Sequence, residues 1–278
     1  MKKSKLLLAV GAFSMATCGL FAGCGGAQID TMASIDKGGN WQAASATTAT
    51  EYVAQEEVKT SMSKGYHLSA KGEMGDTTSF VNAYIVVDEN GIPTGSAIKM
   101  EVKSGEESML YTVYVKDGVM YTATEIKSAF GNTNSKIKMD LGDDETADAF
   151  LSGDEMEDME ILLTANQYLD NLSLIASGKE DKFVFEKATS GKTTKYRARL
   201  NGELEIEQFG ITAKYSTAEM YLIFEDNAFA GASFEQTCSS TFAGETMTNT
   251  ATIVISTFNG EIAYPSFDGY KGLEDLFE

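Results

Sequence analysis

The chain has 278 residues, of which 43% are hydrophobic and 10% aromatic, a composition that supports a globular core and excludes disorder over most of the length. It has 22 lysines and arginines against 41 aspartates and glutamates, so its formal net charge is -19 at pH 7. Such an acidic chain lacks the basic surface that phosphate backbones require. This excludes nucleic acid as a partner and argues against electrostatic adhesion to anionic lipid.

Residues 1–23 have the order of a secretory signal. Lysines come first, an apolar run from Leu6 to Phe13 follows, and small residues lead to Cys24. The segment resembles a bacterial lipoprotein signal, in which small residues such as Ala22 and Gly23 precede a lipidated cysteine. The resemblance implies lipid attachment at Cys24 and a lipid-anchored protein on the extracytoplasmic face of the cell membrane. Phe21 departs from the usual aliphatic residue at its position.

Two alternatives to this interpretation stay open at the N-terminus. Cys18 is a second candidate for the acylated cysteine, because small residues also precede it. A transmembrane anchor would need about 20 continuous apolar residues, and Ser14 and Thr17 interrupt the run well before that length. Two acyl chains on Cys24 would hold the chain stably, whereas one would bind reversibly.

The next residues predict a flexible tether. From Gly25 to about residue 47 the chain is mostly Gly, Ala, Ser, Thr, Asn and Gln without an apolar period, so residues 24–47 are assigned to the lipidated cysteine and its tether. Trp41, the only tryptophan, docks either on the folded domain or on the lipid interface. Residues 48–278 are then assigned to one domain.

Two stretches predict helices. Residues 48–64 place Ala54, Val58 and Met62 on one helical face. Residues 152–178 begin with a capping box formed by Ser152 and Glu155, and carry apolar residues at helical spacing.

Alternation of apolar and polar residues predicts two groups of antiparallel strands, one within residues 66–141 and one within residues 183–258. Asp117-Gly118 and Asn201-Gly202 mark predicted hairpin turns. Because the alternation leaves one apolar face, the predicted fold class is α+β. It is a strongly bent antiparallel sheet of about 10–11 strands, a half-barrel, with the two main helices on its concave face. The aromatic, acidic tail from Tyr264 onward is expected to lie back on the domain.

Candidate catalytic and metal-binding residues do not assemble into a recognisable site. His67, the only histidine, is predicted to lie on the polar surface of the first strand, so a Ser-His-Asp triad is not expected. Cys238 is predicted to be a half-buried small residue rather than a reactive thiol. The acids from Asp140 to Asp148 lack calcium-loop spacing and leave only a weak calcium site as an alternative.

Short motifs in the chain are also better explained by structure. Gly191-Lys192-Thr193 lacks the earlier glycine of a phosphate loop and is predicted to be a hairpin turn. Ser96 and Lys99 match a Ser-x-x-Lys pattern without its companion motifs. Glu203, Glu205 and Glu207 are predicted to form a solvated row. The sequence therefore predicts no catalytic residue, no cofactor and no metal, and the protein is not expected to be an enzyme.

The order of helix, strands, helix and strands in an exported lipoprotein resembles the LolA/LppX-type half-barrel lipoproteins. Repeats such as Tyr114-Val115-Lys116-Asp117-Gly118-Val119-Met120-Tyr121 contribute to this resemblance, which covers residues 48 to 262. It implies an apolar cavity between sheet and helices that binds or carries a hydrophobic ligand, a lipid. The alternative is a non-enzymatic cell-surface interaction or structural module with a closed core.

Overall fold

The computed structural model describes residues 27–45, 65–87, 93–141, 179–208, 211–242, 245–272 and 275, and within them the fold is a single sheet of fourteen strands. The only helical elements among these residues are two short 3₁₀ turns, Ala27–Asp30 and Glu180–Lys182.

The strands are numbered in chain order, and most are long enough to cross a full sheet. They are β1 (Gln42–Ala43), β2 (Tyr66–Met74), β3 (Thr77–Val87), β4 (Pro93–Ser104), β5 (Glu107–Lys116), β6 (Val119–Ser128), β7 (Gly131–Asp140), β8 (Phe183–Ser190), β9 (Thr193–Leu200), β10 (Leu204–Gln208), β11 (Ile211–Glu225), β12 (Ala228–Phe242), β13 (Glu245–Thr257) and β14 (Lys271–Gly272).

The sheet consists of two meanders joined side by side. Its strand order is β1-β8-β9-β11-β12-β13-β2-β3-β4-β5-β6-β7-β14, with β10 paired to β11 outside this path. Antiparallel pairing between β13 and β2 joins the second meander to the first. As a result β7 and β8, consecutive strands of the described chain, lie near opposite edges. The two-residue strands β1 and β14 pair with β8 and β7, and so cover part of each edge.

Short hairpin connections explain why neighbours in sequence pair antiparallel. Between β5 and β6 the turn residues Asp117 and Gly118 have φ values of 53° and 78°. Between β11 and β12 the turn residues Asp226 and Asn227 have φ values of 51° and 69°. Two successive positive φ angles define the tight turn that matches strand twist, so the predicted Asp117-Gly118 hairpin is confirmed.

One face of the sheet, here called the apolar face, holds the main hydrophobic core. Alternate residues of seven strands contribute to it, and their side chains are buried. The largest of them include Tyr66, Leu68, Ile85, Phe185, Tyr196, Leu222, Phe224, Phe229, Phe234 and Ile255.

The opposite face, here called the polar face, is crossed by two extended stretches of chain. The N-terminal segment, residues 27–45, lies over β4, β3, β2, β12, β11 and β9 and ends as β1 on β8. The C-terminal segment, residues 258–272, lies over β3, β5 and β6 and ends as β14 on β7. Both polar-face coverings therefore come from the ends of the chain.

The predicted α+β class of about 10–11 strands with two main helices is wrong for this structure, which is almost entirely β with fourteen strands. Both predicted helices, residues 48–64 and 152–178, lie outside the described residues. In the described part, two extended segments cover the polar face of the sheet, which the sequence analysis left to solvent. Alternation within a strand reports which face a side chain is on, but it does not report what covers that face.

The Asn201-Gly202 turn is also not the hairpin that the sequence predicts. β9 and β10 pair with different parts of β11, since Arg199 is opposite Glu219 and Leu204 is opposite Tyr215. The chain therefore continues along the same side of β11 after an irregular break. The predicted return of the aromatic tail onto the domain is confirmed for residues 264–272.

Candidate functional site: a polar row beneath the N-terminal segment

A continuous row of side chains on the polar face marks the path of the N-terminal segment. Register pairs residues of neighbouring strands, so the row runs from β8 to β7 without interruption. Its members are Glu186, Arg197, Tyr221, Ser233, Val254, Ser69, Asn82, Lys99, Thr112, Ala123 and Lys136. Polar side chains dominate this row, although several of them are buried.

Asn82 is the centre of the contact with the N-terminal segment. Its Nδ2 donates hydrogen bonds to the carbonyl oxygens of Ile29 and Thr31, each at 2.9 Å. Its Oδ1 accepts from Ser69 Oγ at 2.5 Å, and the Ser69 Oγ in turn accepts from the backbone N–H of Ala33 at 2.7 Å. Both polar atoms of the Asn82 amide therefore form hydrogen bonds. Together with Ser69, this amide holds the segment at residues 29, 31 and 33.

His67 also belongs to this group. It lies two residues before Ser69 on β2, in the next row of the polar face. Because Asn82 Nδ2 is committed to two carbonyls, the 2.7 Å contact between His67 Nε2 and Asn82 Oδ1 requires the imidazole to donate from Nε2. The ring stacks on Tyr84 with centroids 3.8 Å apart. Burial lowers the pKa of His67 despite the opposing effect of the hydrogen bond to Asn82. The imidazole is therefore held neutral.

Charged residues fix the middle of the N-terminal segment. Asp36 Oδ2 accepts from Lys195 Nζ at 2.5 Å, and the same ammonium donates to the Gly38 carbonyl at 2.7 Å. The hydrogen bond from Lys195 lowers the pKa of Asp36. Lys37 forms an ion pair with Glu235 of β12. Since Lys195 is almost entirely buried, Asp36 and the Gly38 carbonyl replace the water that its ammonium group would otherwise contact.

The far end of the N-terminal segment docks through Trp41. The Arg197 guanidinium lies 4.3 Å from the Trp41 ring centroid, and the Tyr221 ring meets Trp41 edge-on at 5.9 Å. Glu186 accepts from Arg197 Nε and from Arg199 Nε, each at 3.0 Å. Burial opposes ionisation of Glu186, but the two guanidinium groups outweigh it and lower its pKa. Of the two predicted destinations of Trp41, the structure shows the folded domain.

The C-terminal segment binds the adjacent row by aromatic contacts. Phe267 stacks on Tyr121 with centroids 3.8 Å apart and meets Tyr114 edge-on at 5.6 Å. Tyr264 Oη donates to the Val115 carbonyl at 2.9 Å. Ile29, at the start of the N-terminal segment, packs in the same cluster. The two segments therefore meet above the middle of the sheet.

The apolar face carries a small group of buried polar atoms with no hydrogen-bond partner among the described residues. They are Gln236 Oε1, Asn249 Oδ1 and Ser79 Oγ, all in two neighbouring rows. Gln236 lies opposite Ala218 and Ala251, so small side chains flank it. Unpaired buried acceptors are unusual in folded proteins and require an explanation.

Of the residues that the sequence analysis considered, Trp41, His67 and Lys99 lie at this site. Cys24 lies outside the described residues. Cys238 is half-buried as predicted, and burial raises the pKa of its thiol. Ser96 and Lys99 lie on opposite faces of β4, because they are three residues apart in one strand. Gly191-Lys192 is the predicted hairpin turn, so that prediction is confirmed.

The acidic candidates are dispersed in the structure. Of the stretch from Asp140 to Asp148, only Asp140 and Leu141 are described. Glu203 and Glu205 both pair with Lys214, at 2.8 and 3.8 Å, and are mostly exposed. Within the described part, no group of His, Cys, Asp and Glu could hold a metal ion.

The sequence predicts that His67 lies on the surface, and this prediction is wrong. The residue is buried, with an exposed fraction of 8%. The N-terminal segment buries it, and neither Asn82 nor Ser69 was identified from the sequence. The available signal was Asn82 itself, since asparagine is uncommon inside a strand and Asn82 lies among apolar residues. This cluster suits docking of a chain segment, because Ser69 is fully buried and directs its proton to Asn82.

Comparisons with known proteins give no relative. No family model, no curated protein and no solved structure matches this chain. The resemblance to LolA/LppX-type lipoproteins therefore stays a prediction from the order of elements. The described residues include no helix that is long and apolar enough to span a membrane.

Proposed function

We propose that this protein is a non-enzymatic lipoprotein, anchored by an acylated Cys24 to the extracytoplasmic face of the membrane, whose folded domain acts as a surface interaction module. The observation that carries this proposal is the docking of the N-terminal segment. Ile29 is five residues after Cys24 and is already fully buried. An anchor at Cys24 would thus hold the domain directly, without a long free linker.

The packing of both faces supports an interaction module over a carrier. Side chains on the apolar face, such as Leu222 and Ile255, are buried within the chain itself, and the polar face lies under the two terminal segments. Neither face of the sheet therefore needs a bound molecule to bury its side chains. The buried state of His67 and Ser69 supports a structural role for the residues that most resemble a catalytic pair.

Metabolic labelling with a radioactive fatty acid tests the anchor. We expect the parent protein to incorporate label and the Cys24→Ala variant to lose it, while Cys18→Ser retains it. Equal label in the parent and Cys24→Ala would refute the anchor. Cross-linking on intact cells then tests the module: a surface protein that is captured by the parent and lost with Cys24→Ala would support it.

Binding of a hydrophobic ligand is a second candidate, favoured by the atoms of Gln236, Asn249 and Ser79 on the apolar face that have no hydrogen-bond partner among the described residues. A lipid with a hydroxyl or amine group would donate to these acceptors, while its chain would contact the neighbouring apolar side chains. Native mass spectrometry of protein purified from its own membrane distinguishes the candidates. Co-purified lipid that is lost in Gln236→Leu would favour the carrier, and its absence would favour the module.

A further inference from the structure

We infer that two copies of this chain exchange their N-terminal segments, so that residues 27–45 of each copy lie on the polar face of the other. The inference deepens the proposed interaction module, on which it rests, by naming a second copy of the chain as the partner. The arguments are the selectivity of the polar face for this segment, the polar character of the contact, and the length of chain between the segment and β2.

The polar face binds residues 27–45 at three separate places. Side chains of β2 and β3 bind backbone groups near the start of the segment. Lys195 binds the carboxylate of Asp36 in the middle, and Arg197 stacks on Trp41 near the end. A second copy carries the same groups at the same spacing, so its segment fits this face equally well.

This contact can open without opening the main core. Among the described side chains of the segment, only Ile29 and Ala33 are buried and apolar. The main hydrophobic core lies on the opposite face and includes none of the segment's described residues. When the segment leaves, polar groups such as Lys195 exchange protein partners for water, so the net free energy of each lost contact is modest. The segment can therefore undock while the sheet stays folded.

The chain between the segment and the sheet is long enough for exchange. Ala44 is hydrogen-bonded to β8, and the next described strand, β2, begins at Tyr66. From β8 through β9, β11, β12 and β13 to β2 there are five strand spacings, or about 24 Å. The twenty residue steps from 45 to 65 span at most about 70 Å. The segment therefore reaches the polar face of a neighbouring copy from the same starting point on β2.

Docking within one chain and docking between two copies use the same contacts. Protein concentration therefore decides between the two arrangements. Docking within one chain is favoured in dilute solution, whereas copies anchored in one membrane meet at high local concentration. We expect exchanged pairs to increase as the protein is concentrated.

A disulfide trap between two single-cysteine variants tests the exchange. A Cβ added at Gly39 would lie 2.8 Å from the Cβ of Ala188, so cysteines at these two positions meet when the segment is docked. Full-length Gly39→Cys and Ala188→Cys chains are mixed and oxidised. The control mixture contains Gly39→Cys and Thr189→Cys, because Thr189 is on the opposite face of β8. We expect at least about tenfold more disulfide-linked dimer in the first mixture than in the control.

Two further measurements define the baseline of this experiment. Each variant oxidised alone reports the dimers that form through native thiols such as Cys238. The double variant Gly39→Cys/Ala188→Cys in one chain shows whether the docked segment allows the disulfide. If the double variant forms its internal disulfide and the first mixture gives no more dimer than the control, the exchange is overturned.

A charge reversal tests the same exchange without cysteines. Asp36→Lys and Lys195→Glu each place like charges together within their own chain, whereas in an exchanged pair every segment meets an opposite charge. At a concentration where the parent is monomeric, we expect an equimolar mixture to form dimers, measured by light scattering. Each variant alone, and both changes in one chain, should stay monomeric. A mixture that also stays monomeric overturns the exchange even where the internal disulfide does not form.

Both experiments use purified protein, so their outcome is separate from that of the proposed function. Failure of the exchange would remove the second copy as partner and leave the interaction module to be tested by cross-linking on intact cells. Dimers in the paired mixtures, with none above the controls in the others, support the exchange.

Discussion

The N-terminal and C-terminal segments cross the same face of the sheet but are held by different chemistry. The first is bound through Asn82, Lys195 and Glu235, with each contact made by a specific polar atom. The second is bound through stacked rings, led by Phe267 on Tyr121. Directional polar contacts fix the register of a segment, whereas aromatic contacts supply buried area with less positional selectivity. We therefore expect single substitutions to affect the two segments in different ways.

The largest expected effect is that of Asn82→Leu. Leucine has a similar volume but leaves the carbonyls of Ile29 and Thr31 and the donors of Ser69 and His67 without their partner. We expect a loss of about 3–5 kcal/mol in the free energy of unfolding, measured by urea denaturation. Limited proteolysis should also cut residues 27–45 earlier than in the parent.

The control for this variant is Asn132→Leu, at an exposed position on β7. It should change the free energy of unfolding by less than about 0.5 kcal/mol. Equal stability of Asn82→Leu and the parent would contradict the central role of this amide in holding the N-terminal segment.

Phe267→Ala should have the next largest effect, because it removes one stacked contact and three edge or tilted contacts with tyrosines. We expect a loss of about 2–3 kcal/mol, less than for a fully buried phenylalanine, since Phe267 is only partly buried. Hydrogen exchange should increase first in residues 258–272. Phe130→Ala, at an exposed position, is the control and should have little effect.

Acidification should weaken the N-terminal segment before the C-terminal one. The pKa of His67 is lowered in the folded state, so the unfolded state binds a proton first as the pH falls below about 6.5. The stability contributed by neutral His67 is therefore complete above that pH and is lost as the pH falls toward the lowered folded value.

His67 is the only histidine, so His67→Gln should remove most of the pH dependence between pH 7 and 5. Urea denaturation across this range measures it. A separate loss is expected at more acidic pH, where Asp36 and Glu186, whose pKa values are lowered in the folded state, become protonated. An unchanged slope between pH 7 and 5 in His67→Gln would show that another group causes it.

The smallest expected effect is that of Asp36→Asn. Asp36 is largely exposed, so solvent screens its pairing with Lys195, but Lys195 is buried and would lose its counter-ion. We expect a small loss of stability that decreases as salt is added. Asp226→Asn, which breaks an ion pair between two exposed groups, should change stability by a few tenths of a kcal/mol at most.

The sequence by itself determined the local features of this protein. Alternation placed most strands and assigned side chains to faces, and Asp117-Gly118 specified a hairpin, because both depend on neighbours only a few residues apart. It predicted a lipoprotein signal ending at Cys24, which remains a prediction. The Asn201-Gly202 hairpin was wrong because the same turn residues also permit the break between β9 and β10 on one side of β11.

Only the tertiary structure decided what covers the polar face. A Gly-, Ala- and Ser-rich segment predicts a flexible tether, but residues 27–45 lie on the sheet because Asn82 and Lys195 satisfy its backbone and Asp36. These partners are 53 and 159 residues away from the groups they bind. No pattern of neighbouring residues indicates pairings over such distances in sequence. The polar face of the strands, which the sequence assigns to solvent, is therefore the buried surface that binds the N-terminal segment.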